Sequence, residues 1–234
     1  MNAPGFTLQW AADAVGGRIR SGNPAQGLGN VAIDSRTLQP GDLFVALRGL
    51  RFDGHEFIGA ALEKGASGAI VERQCHGARD DGIVVIEVDD TTKALQDLAH
   101  AVRKASGARV IAITGSAGKT TTKETIAEFL SGKFRVVKNK GNLNNHIGLP
   151  LSLLQLRERP DVAVMELGMN HTGEISRLVA IAEPEVRVWT NVGDAHIGFF
   201  ASADAIADAK AEILERAAPD HVLVCNRSEE HTSE

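Results

Sequence analysis

The hydrophobic and polar positions of this 234-residue chain follow two alternating periods. Short apolar runs, typical of buried strands, are separated by longer segments with apolar residues at helical spacing. In the second half, the predicted strands are 110–113, 134–138, 162–167, 186–190 and 221–225. The predicted helices are 119–130, a short one ending near 156, 174–182 and 202–216. This alternation predicts a mostly parallel sheet with helices on both faces.

The first half has a smaller α/β pattern. Its predicted helices are 7–14 and 56–64, and its predicted strands are 31–33, 43–47, 69–71 and 83–88. A further helix, 93–106, is predicted between the two halves. We therefore expect a small α/β domain over 1–88 and a parallel-sheet domain over 89–226. Residues 227–234 contain nothing apolar. They are interpreted as a disordered tail or as a non-native end, and the second interpretation is favoured because the sheet is still adding strands there.

Composition and charge exclude several classes of protein. The net charge is −5 and the 25 lysines and arginines are dispersed, which argues against a nucleic-acid-binding surface. No apolar run is long enough to span a bilayer. Cys75 and Cys225 lie far apart, so a disulfide framework is not expected. Without a recognisable export signal, the expected location is the cytoplasm.

A glycine-rich loop joins the predicted strand 110–113 to the predicted helix 119–130. Strand, glycine loop and helix start are the arrangement in which backbone N–H groups and the helix dipole hold a polyphosphate. Lys119 is expected to reach the outer phosphates and the Thr120 hydroxyl to bind Mg²⁺. The expected phosphate-binding residues are Gly115, Ser116, Ala117, Gly118, Lys119, Thr120 and Thr121. The loop is shorter than the general pattern, and the alternative is a glycine-rich turn before an ordinary helix.

Two further polar residues follow predicted strands of the same sheet. Glu166 stands at the end of an apolar strand, where a carboxylate commonly binds Mg²⁺ directly or through water. His196 follows the next strand and would face the same crevice. Taken singly, His196 is typical of a surface-loop histidine. Arriving at one edge with Thr120 and Glu166, it becomes a candidate ligand.

Lys210 falls inside the apolar stripe of the predicted helix 202–216. One interpretation is a lysine whose stem covers the core while its ammonium reaches water, and the residue pattern alone favours this one. The other is a desolvated lysine with a lowered pKa, which as a neutral amine could react with CO₂ to form a carbamate. The asparagine-rich segment 138–150 is equally open between turn chemistry and ligand contact.

Several of these segments together resemble the ATP-dependent Mur ligases of peptidoglycan precursor synthesis. The matching segments are 114–123, 141–150, 166–170, 191–196 and 209–213, with 34–36 and 40–49 in the first unit. The asparagine-rich loop and Glu-Leu-Gly-Met-Asn at 166–170 are most similar to the branch that adds a dipeptide. The resemblance implies ATP and Mg²⁺ as cofactors, UDP-N-acetylmuramoyl tripeptide and D-alanyl-D-alanine as substrates, no nucleic-acid or membrane partner, and a monomer.

The resemblance also implies roles for particular residues. The implied catalytic residues are Lys119, His196 and Lys210, and the implied Mg²⁺ ligands are Thr120, Glu166, His196 and a carbamylated Lys210. This reverses the preference for a water-reaching Lys210. The residues implied to line the UDP-sugar substrate site are Ser35, Arg36, Arg48, Gly49, Asp53 and His55, with Asn144 and Asn145 near the peptide or phosphate end.

The resemblance leaves alternatives open. The family has a third, C-terminal domain without a counterpart in this sequence, so the chain is expected to be a fragment that does not ligate alone. Within the superfamily, the alternatives are the diaminopimelate-adding ligase and a folylpolyglutamate synthetase; the first-unit motifs argue against the latter. Outside it, they are a non-catalytic nucleotide-binding module and, less well matched, a phosphate-loop kinase.

Overall fold

The computed structural model describes residues 6–49, 51–73, 83–193, 200 and 202–226. It divides into two compact units, Met1–Ala101 and Val102–Glu234, and the division falls within helix α3 (Thr91–Ser106). Asp90 starts α3 by accepting hydrogen bonds from the N–H groups of Thr92 and Lys93. The predicted limits of 1–88, 89–226 and 227–234 stay predictions, and the tail lies outside the described residues.

The first unit is an α/β unit built on one mixed sheet. Its strands are β1 (Arg18–Ser21), β2 (Val31–Ala32), β3 (Leu43–Val45), β4 (Gly68–Glu72) and β5 (Val84–Val88). Its helices are α1 (Leu8–Ala14) and α2 (Ile58–Glu63), the latter preceded by a 3-10 turn over Gly54–Phe57. Over the described residues the strand order is β1-β5-β4-β3-β2, with β1 antiparallel to β5 and the other pairs parallel.

Strand β1 is absent from the sequence prediction. Ile19 is its one aliphatic residue, between Arg18 and Arg20, so no apolar run marks it. The strand forms because it pairs with the buried β5, and Arg20 donates to Glu87 of β5 at 3.0 Å. Pairing with β5 thus stabilises a strand that the residue pattern of β1 alone does not predict.

The second unit carries the parallel sheet. Its strands are β6 (Arg109–Thr114), β7 (Val136–Lys138), β8 (Val162–Glu166), β9 (Val186–Trp189) and β10 (Val222–Cys225). Its further helices are α4 (Lys119–Ser131), α5 (Gly148–Leu153), α6 (Glu174–Ala182) and α7 (Ala203–Ala211), with 3-10 turns at Leu154–Glu158 and Glu212–Leu214. Within the described ranges the order is β10-β9-β6-β8-β7 and every pair is parallel, which confirms the predicted fold class.

Strand register brings the carboxyl ends of three strands to one edge. Ile113 of β6 lies opposite Glu166 of β8, and Thr114 lies opposite Trp189 of β9. Beneath that edge, apolar residues of the strands pack against Ala127 of α4. A buried core therefore fixes the positions from which the polar loops leave the sheet. Each helix in the described part of the chain is too short or too polar to cross a membrane.

Candidate functional site

The glycine loop leaves β6 in a backbone conformation that requires glycine. Gly115 has φ +149°, and a Cβ there would lie 1.9 Å from the Thr190 Oγ1. Gly118 has φ +78° and caps the N-terminus of α4. A side chain is therefore blocked by contact at Gly115 and disfavoured by backbone conformation at Gly118.

Two residues that follow β9 hold the loop. Asn191 accepts hydrogen bonds from the N–H groups of Ser116 (3.1 Å, main chain) and Ala117 (2.9 Å, side chain). Thr190 donates from its hydroxyl to the Ala117 carbonyl at 2.6 Å. Thr190 and Asn191 were not predicted from the sequence as loop supports. Their signal was a pair of polar residues directly after a buried strand.

Lys119 and Thr120 occupy the first turn of α4. The Lys119 ammonium donates to the Gly115 carbonyl at 2.7 Å, across the mouth of the loop. The pKa of Lys119 is lowered by burial, against the opposing effect of the Glu166 carboxylate. The first N–H groups of a helix have no intrahelical acceptor. The loop thus combines a cation, the helix N-terminus and a hydroxyl.

Glu166 meets this turn from the end of β8. Its side chain is buried, and its Oε2 accepts a hydrogen bond from the Thr120 hydroxyl at 2.8 Å. Its Oε1 accepts from the Asn144 side-chain amide at 2.9 Å. The structure therefore brings Thr120, Glu166 and Asn144 together. Asn145 instead accepts from the N–H groups of Ile147 and Gly148 at the start of α5.

Lys210 is buried in α7, with 1% of its surface exposed, so the side chain is much less accessible to water than the residue pattern alone favoured. Burial, and secondarily the charge of Lys119, lower the pKa of Lys210 to about 8. Among the described residues, Lys210 has no hydrogen-bond or ion-pair partner. The amine is therefore poised to lose its proton more readily than an ordinary lysine.

The predicted His196 lies outside the described residues, as do its neighbours 194–199. Within the part of the chain that is described, no group of three or more His, Cys, Asp or Glu side chains is arranged to hold a metal. Glu166 is the carboxylate that contacts the Thr120 hydroxyl after the glycine loop. Mg²⁺ commonly takes one or two protein carboxylates and keeps several waters, so Glu166 with the Thr120 hydroxyl fits that ion.

The first unit has a separate cavity of about 450 Å³. Its described lining is Ile33, Asp34, Ser35, Arg36, Phe44, Leu47, Phe52, Gly54 and Phe57. The predicted Ser35 and Arg36 thus line it, whereas the aromatic residues Phe52 and Phe57 were not singled out from the sequence. Arg36 forms a two-pronged ion pair with Asp34, which lowers the pKa of Asp34 to about 2. Phe52 is 72% exposed at this cavity.

The other residues predicted for the substrate site form a brace in the loop that contains Phe52. His55 Nε2 accepts from the Glu72 N–H at 3.0 Å, so its proton is on Nδ1, which lies 2.5 Å from Asp53 Oδ1. Arg48 pairs with Asp53 and Glu72, each at 3.1 Å. The Gly49 N–H donates to the Phe52 carbonyl at 2.9 Å. Arg48, Gly49, Asp53 and His55 therefore hold the loop's shape, and they are not among the described lining of the cavity.

Comparison with known proteins gives matches in both units. The family model described as the Mur ligase middle domain matches residues 113–234, and the one described as Mur ligase family, catalytic domain, matches residues 28–103. The chain is 44% identical over 194 residues to the UDP-N-acetylmuramoyl-tripeptide–D-alanyl-D-alanine ligase of Bacillus subtilis, covering 83% of this chain and 42% of that relative. It therefore spans less than half of that relative's length.

Solved structures are similar over most of the chain. A crystal structure of MurF from Acinetobacter baumannii has a TM-score of 0.88 and 37% identity, over 97% of this chain and 50% of its own. A crystal structure of MurF ligase from Thermotoga maritima in complex with ADP has a TM-score of 0.77 and 36% identity, over 86% of this chain and 46% of its own.

Proposed function

This chain belongs to the Mur ligase family, and we propose that it forms the ATP-binding and UDP-sugar-binding parts of a ligase that adds D-alanyl-D-alanine to UDP-N-acetylmuramoyl tripeptide. The observation that carries the proposal is the Thr120–Glu166 hydrogen bond of 2.8 Å at the start of the phosphate-loop helix. It joins the hydroxyl that follows the glycine loop to a buried carboxylate, and this pair is typical of sites that bind a nucleotide together with a metal ion. The relatives' names supply the substrate class.

ATP phosphates are proposed to lie against the N-terminus of α4. There the helix N–H groups from Gly118 onward and the Lys119 ammonium supply positive charge. The N–H groups of Ser116 and Ala117 are already bonded to Asn191, so their part is to fix the loop. Lys119 would exchange its bond to the Gly115 carbonyl for a phosphate oxygen. Its partial burial makes that exchange favourable, because an anion is a stronger partner than a carbonyl.

Thr120 and Glu166 would hold Mg²⁺, with His196 as a further proposed ligand. Bound there, the ion would neutralise charge on the phosphates being transferred. Lys210 would add a second anionic ligand after carbamylation, in which the neutral amine takes up CO₂ and releases one proton. The lowered pKa of Lys210, about 8, supports that role because the neutral amine is the reactive form.

The first-unit cavity is proposed to receive the UDP-sugar. Phe52 and Phe57 offer aromatic faces to a planar base, and Ser35 with Arg36 offers polar contacts to the rest of the nucleotide. The Arg48–Asp53–His55 brace would keep Phe52 in place. Exposed aromatic rings held in this way suit a ligand that covers them on binding.

The proposed reaction needs little covalent chemistry from the protein. The tripeptide's terminal carboxylate attacks the γ-phosphate of ATP to give an acyl phosphate and ADP. The amine of D-alanyl-D-alanine then attacks the acyl carbonyl and releases phosphate. Lys119 and the α4 N-terminus would orient the phosphates and offset their developing charge.

Calorimetric titration of the chain with ADP in the presence of Mg²⁺ tests the nucleotide site. The wild-type chain is expected to bind, and Lys119→Met to bind at least about tenfold more weakly, because a charge-assisted phosphate contact is lost. Lys133→Met is the matched control, since Lys133 is an exposed lysine beyond the C-terminal end of α4. Equal ADP affinity in the Lys119→Met variant and the wild type would contradict the proposed site.

A further inference from the structure

Lys123 is a buried lysine on the helix that follows the phosphate loop. Its exposed fraction is 0%, and α4 is otherwise buried only at Ala127. Burying an ammonium is unfavourable unless it is hydrogen-bonded and close to anions. Because the Lys123 side chain has no contact with solvent, it cannot bind a ligand directly. It can affect a bound ligand only through the residues that it contacts.

Its ammonium contacts three groups. The Lys123 Nζ donates to the Asn139 carbonyl at 2.9 Å. It lies 3.4 Å from Glu124 Oε1 and 3.9 Å from Glu166 Oε2. Glu124 is about half exposed and also pairs with Lys138 at the surface. The buried carboxylate near Lys123 is therefore Glu166, the proposed metal ligand.

Asn139 connects Lys123 to the backbone of Glu166. Asn139 is fully buried, immediately after β7 ends at Lys138. Its side-chain oxygen accepts from the Glu166 N–H at 3.0 Å, and its side-chain amide donates to the Glu166 carbonyl at 3.0 Å. The same amide donates to the Leu143 carbonyl at 2.9 Å. The side chain thus clamps both main-chain polar groups of Glu166 where strand pairing with β7 has stopped.

We propose that Lys123 is a positioning residue: through Asn139 and through its charge, it holds Glu166 so that the carboxylate faces Thr120. The proposal rests on the proposed nucleotide site. Lys123 fixes the Asn139 carbonyl, the Asn139 side chain fixes the Glu166 backbone, and the Lys123 ammonium lies beside the carboxylate oxygen that Thr120 also contacts. With Asn144 on the other oxygen, both carboxylate oxygens have a defined direction.

Amide hydrogen exchange in the nucleotide-free chain tests the clamp. The Glu166 N–H donates to Asn139, whereas the adjacent Leu167 N–H donates to the Ile113 carbonyl of β6 at 2.8 Å. In Lys123→Met, exchange at Glu166 is expected to accelerate at least about tenfold while exchange at Leu167 keeps its rate. Asn139→Ala should give the same pattern by removing the clamp directly. Lys133→Met should change neither rate.

Equal acceleration at both amides would mean that Lys123 only stabilises the fold, and no change at Glu166 would also overturn the proposal. Because no nucleotide is present, this result stands whether or not the chain binds ADP. If Lys123→Met does not fold, Asn139→Ala provides the same comparison of the Glu166 and Leu167 amides.

Metal dependence of ADP binding gives the functional readout. Mg²⁺ is expected to increase the ADP affinity of the wild type, and in Lys123→Met this increase should be roughly 10–100-fold smaller. A loss of that size is typical when a group supporting a metal ligand is removed. Binding measured in EDTA should stay near the wild-type value, because Lys119 and the helix N-terminus are unchanged. A parallel loss with and without Mg²⁺ would contradict positioning of Glu166. Absence of ADP binding in the wild type would instead contradict the proposed function.

Discussion

At the scale of single residues, the site depends on polar groups that are buried yet supported to different degrees. Glu166 has a donor on each carboxylate oxygen. Lys210 is equally buried but has no such partner among the described residues, and its pKa is lowered to about 8. Removing a hydrogen-bond partner from a buried charge should destabilise the fold, whereas removing a buried charge that has no partner should stabilise it. Mutation and pH therefore distinguish the two kinds of residue.

Replacing Lys210 with Met should stabilise the chain at neutral pH. An unfolded lysine titrates near pH 10.4, so between about pH 8 and that value the unfolded state binds more protons than the folded state. The stability of the wild type therefore rises with pH across this window. Lys210→Met should be more stable at pH 7 by about 1 to 3 kcal/mol, and the difference should shrink toward pH 10. Urea unfolding at pH 7, 9 and 10 measures it.

Lys133→Met serves as the control for Lys210→Met, because it removes one exposed lysine and should change the unfolding free energy by less than about 0.5 kcal/mol. A Lys210→Met variant that is less stable than the wild type at pH 7 would show that the buried ammonium has a favourable partner. A stability difference that does not change with pH would contradict the lowered pKa.

Replacing Thr120 with Ala tests the hydroxyl that joins the loop to Glu166. The variant leaves the buried Glu166 Oε2 without its hydroxyl donor, which should cost about 1 to 3 kcal/mol of unfolding free energy. The gain in ADP affinity from Mg²⁺ should also fall, while affinity in EDTA changes little. Thermal unfolding and calorimetry measure the two effects. Thr120→Ser keeps the hydroxyl and is expected to restore both.

At the scale of elements, the strand–loop–helix unit of β6 and α4 depends on the neighbouring segment after β9. The loop amides are bonded to Asn191, and Gly115 packs against Thr190. The phosphate loop is thus shaped by tertiary contacts as well as by its own glycines. A side chain at Gly115 would separate two neighbouring strand ends.

Gly115→Ala should destabilise the chain by about 1 to 3 kcal/mol, because the added Cβ would lie 1.9 Å from the Thr190 hydroxyl oxygen and φ is +149°. Gly132→Ala is the matched control in the same unit. Gly132 has φ −65°, and its added Cβ would meet only the Phe129 carbonyl, at 3.6 Å. That variant should be neutral or more stable by roughly 0.5 kcal/mol. Equal destabilisation by both would argue against a tightly packed loop.

The elements also show what sequence patterns can and cannot predict. Helix α6 was predicted with the bounds it has, since its apolar residues repeat at helical spacing over its whole length. The predicted helix 202–216 ends as α7 at Ala211 and continues as a 3-10 turn, after which Glu215 is extended and Arg216 has φ +56°. No residue type in that stretch signals the change of conformation.

The candidate site also contains residues that could be predicted from the sequence and residues that could not. Thr120 and Glu166 could be placed together because parallel strands deliver their carboxyl ends to one edge. The burial of Lys123 and the clamp by Asn139 were not predicted. Lys123 falls on the apolar stripe of α4 with Ile126 and Ala127, but a lysine there commonly extends its ammonium to water, and an asparagine in a loop indicates solvent exposure. Their roles follow from packing between α4, β7 and β8, which is information that local periodicity does not contain.

At the scale of the whole molecule, the chain consists of two compact units, and we propose that each binds one ligand, the first in its cavity and the second at its glycine loop. It spans 42% of the Bacillus subtilis relative, so the complete reaction is to be measured on the product of the complete reading frame that contains this sequence. We propose that this protein couples ATP cleavage to the joining of a UDP-muramoyl tripeptide and a dipeptide.

The most direct test is ADP release by that protein with its substrates supplied singly and together. We expect release that requires both UDP-N-acetylmuramoyl tripeptide and D-alanyl-D-alanine. We also expect a loss of at least about 100-fold in Lys119→Met, as for groups that stabilise a transferred phosphoryl. Equal turnover with UDP-N-acetylmuramoyl dipeptide and a free diamino acid, or ADP release that needs no UDP-sugar, would contradict the proposal.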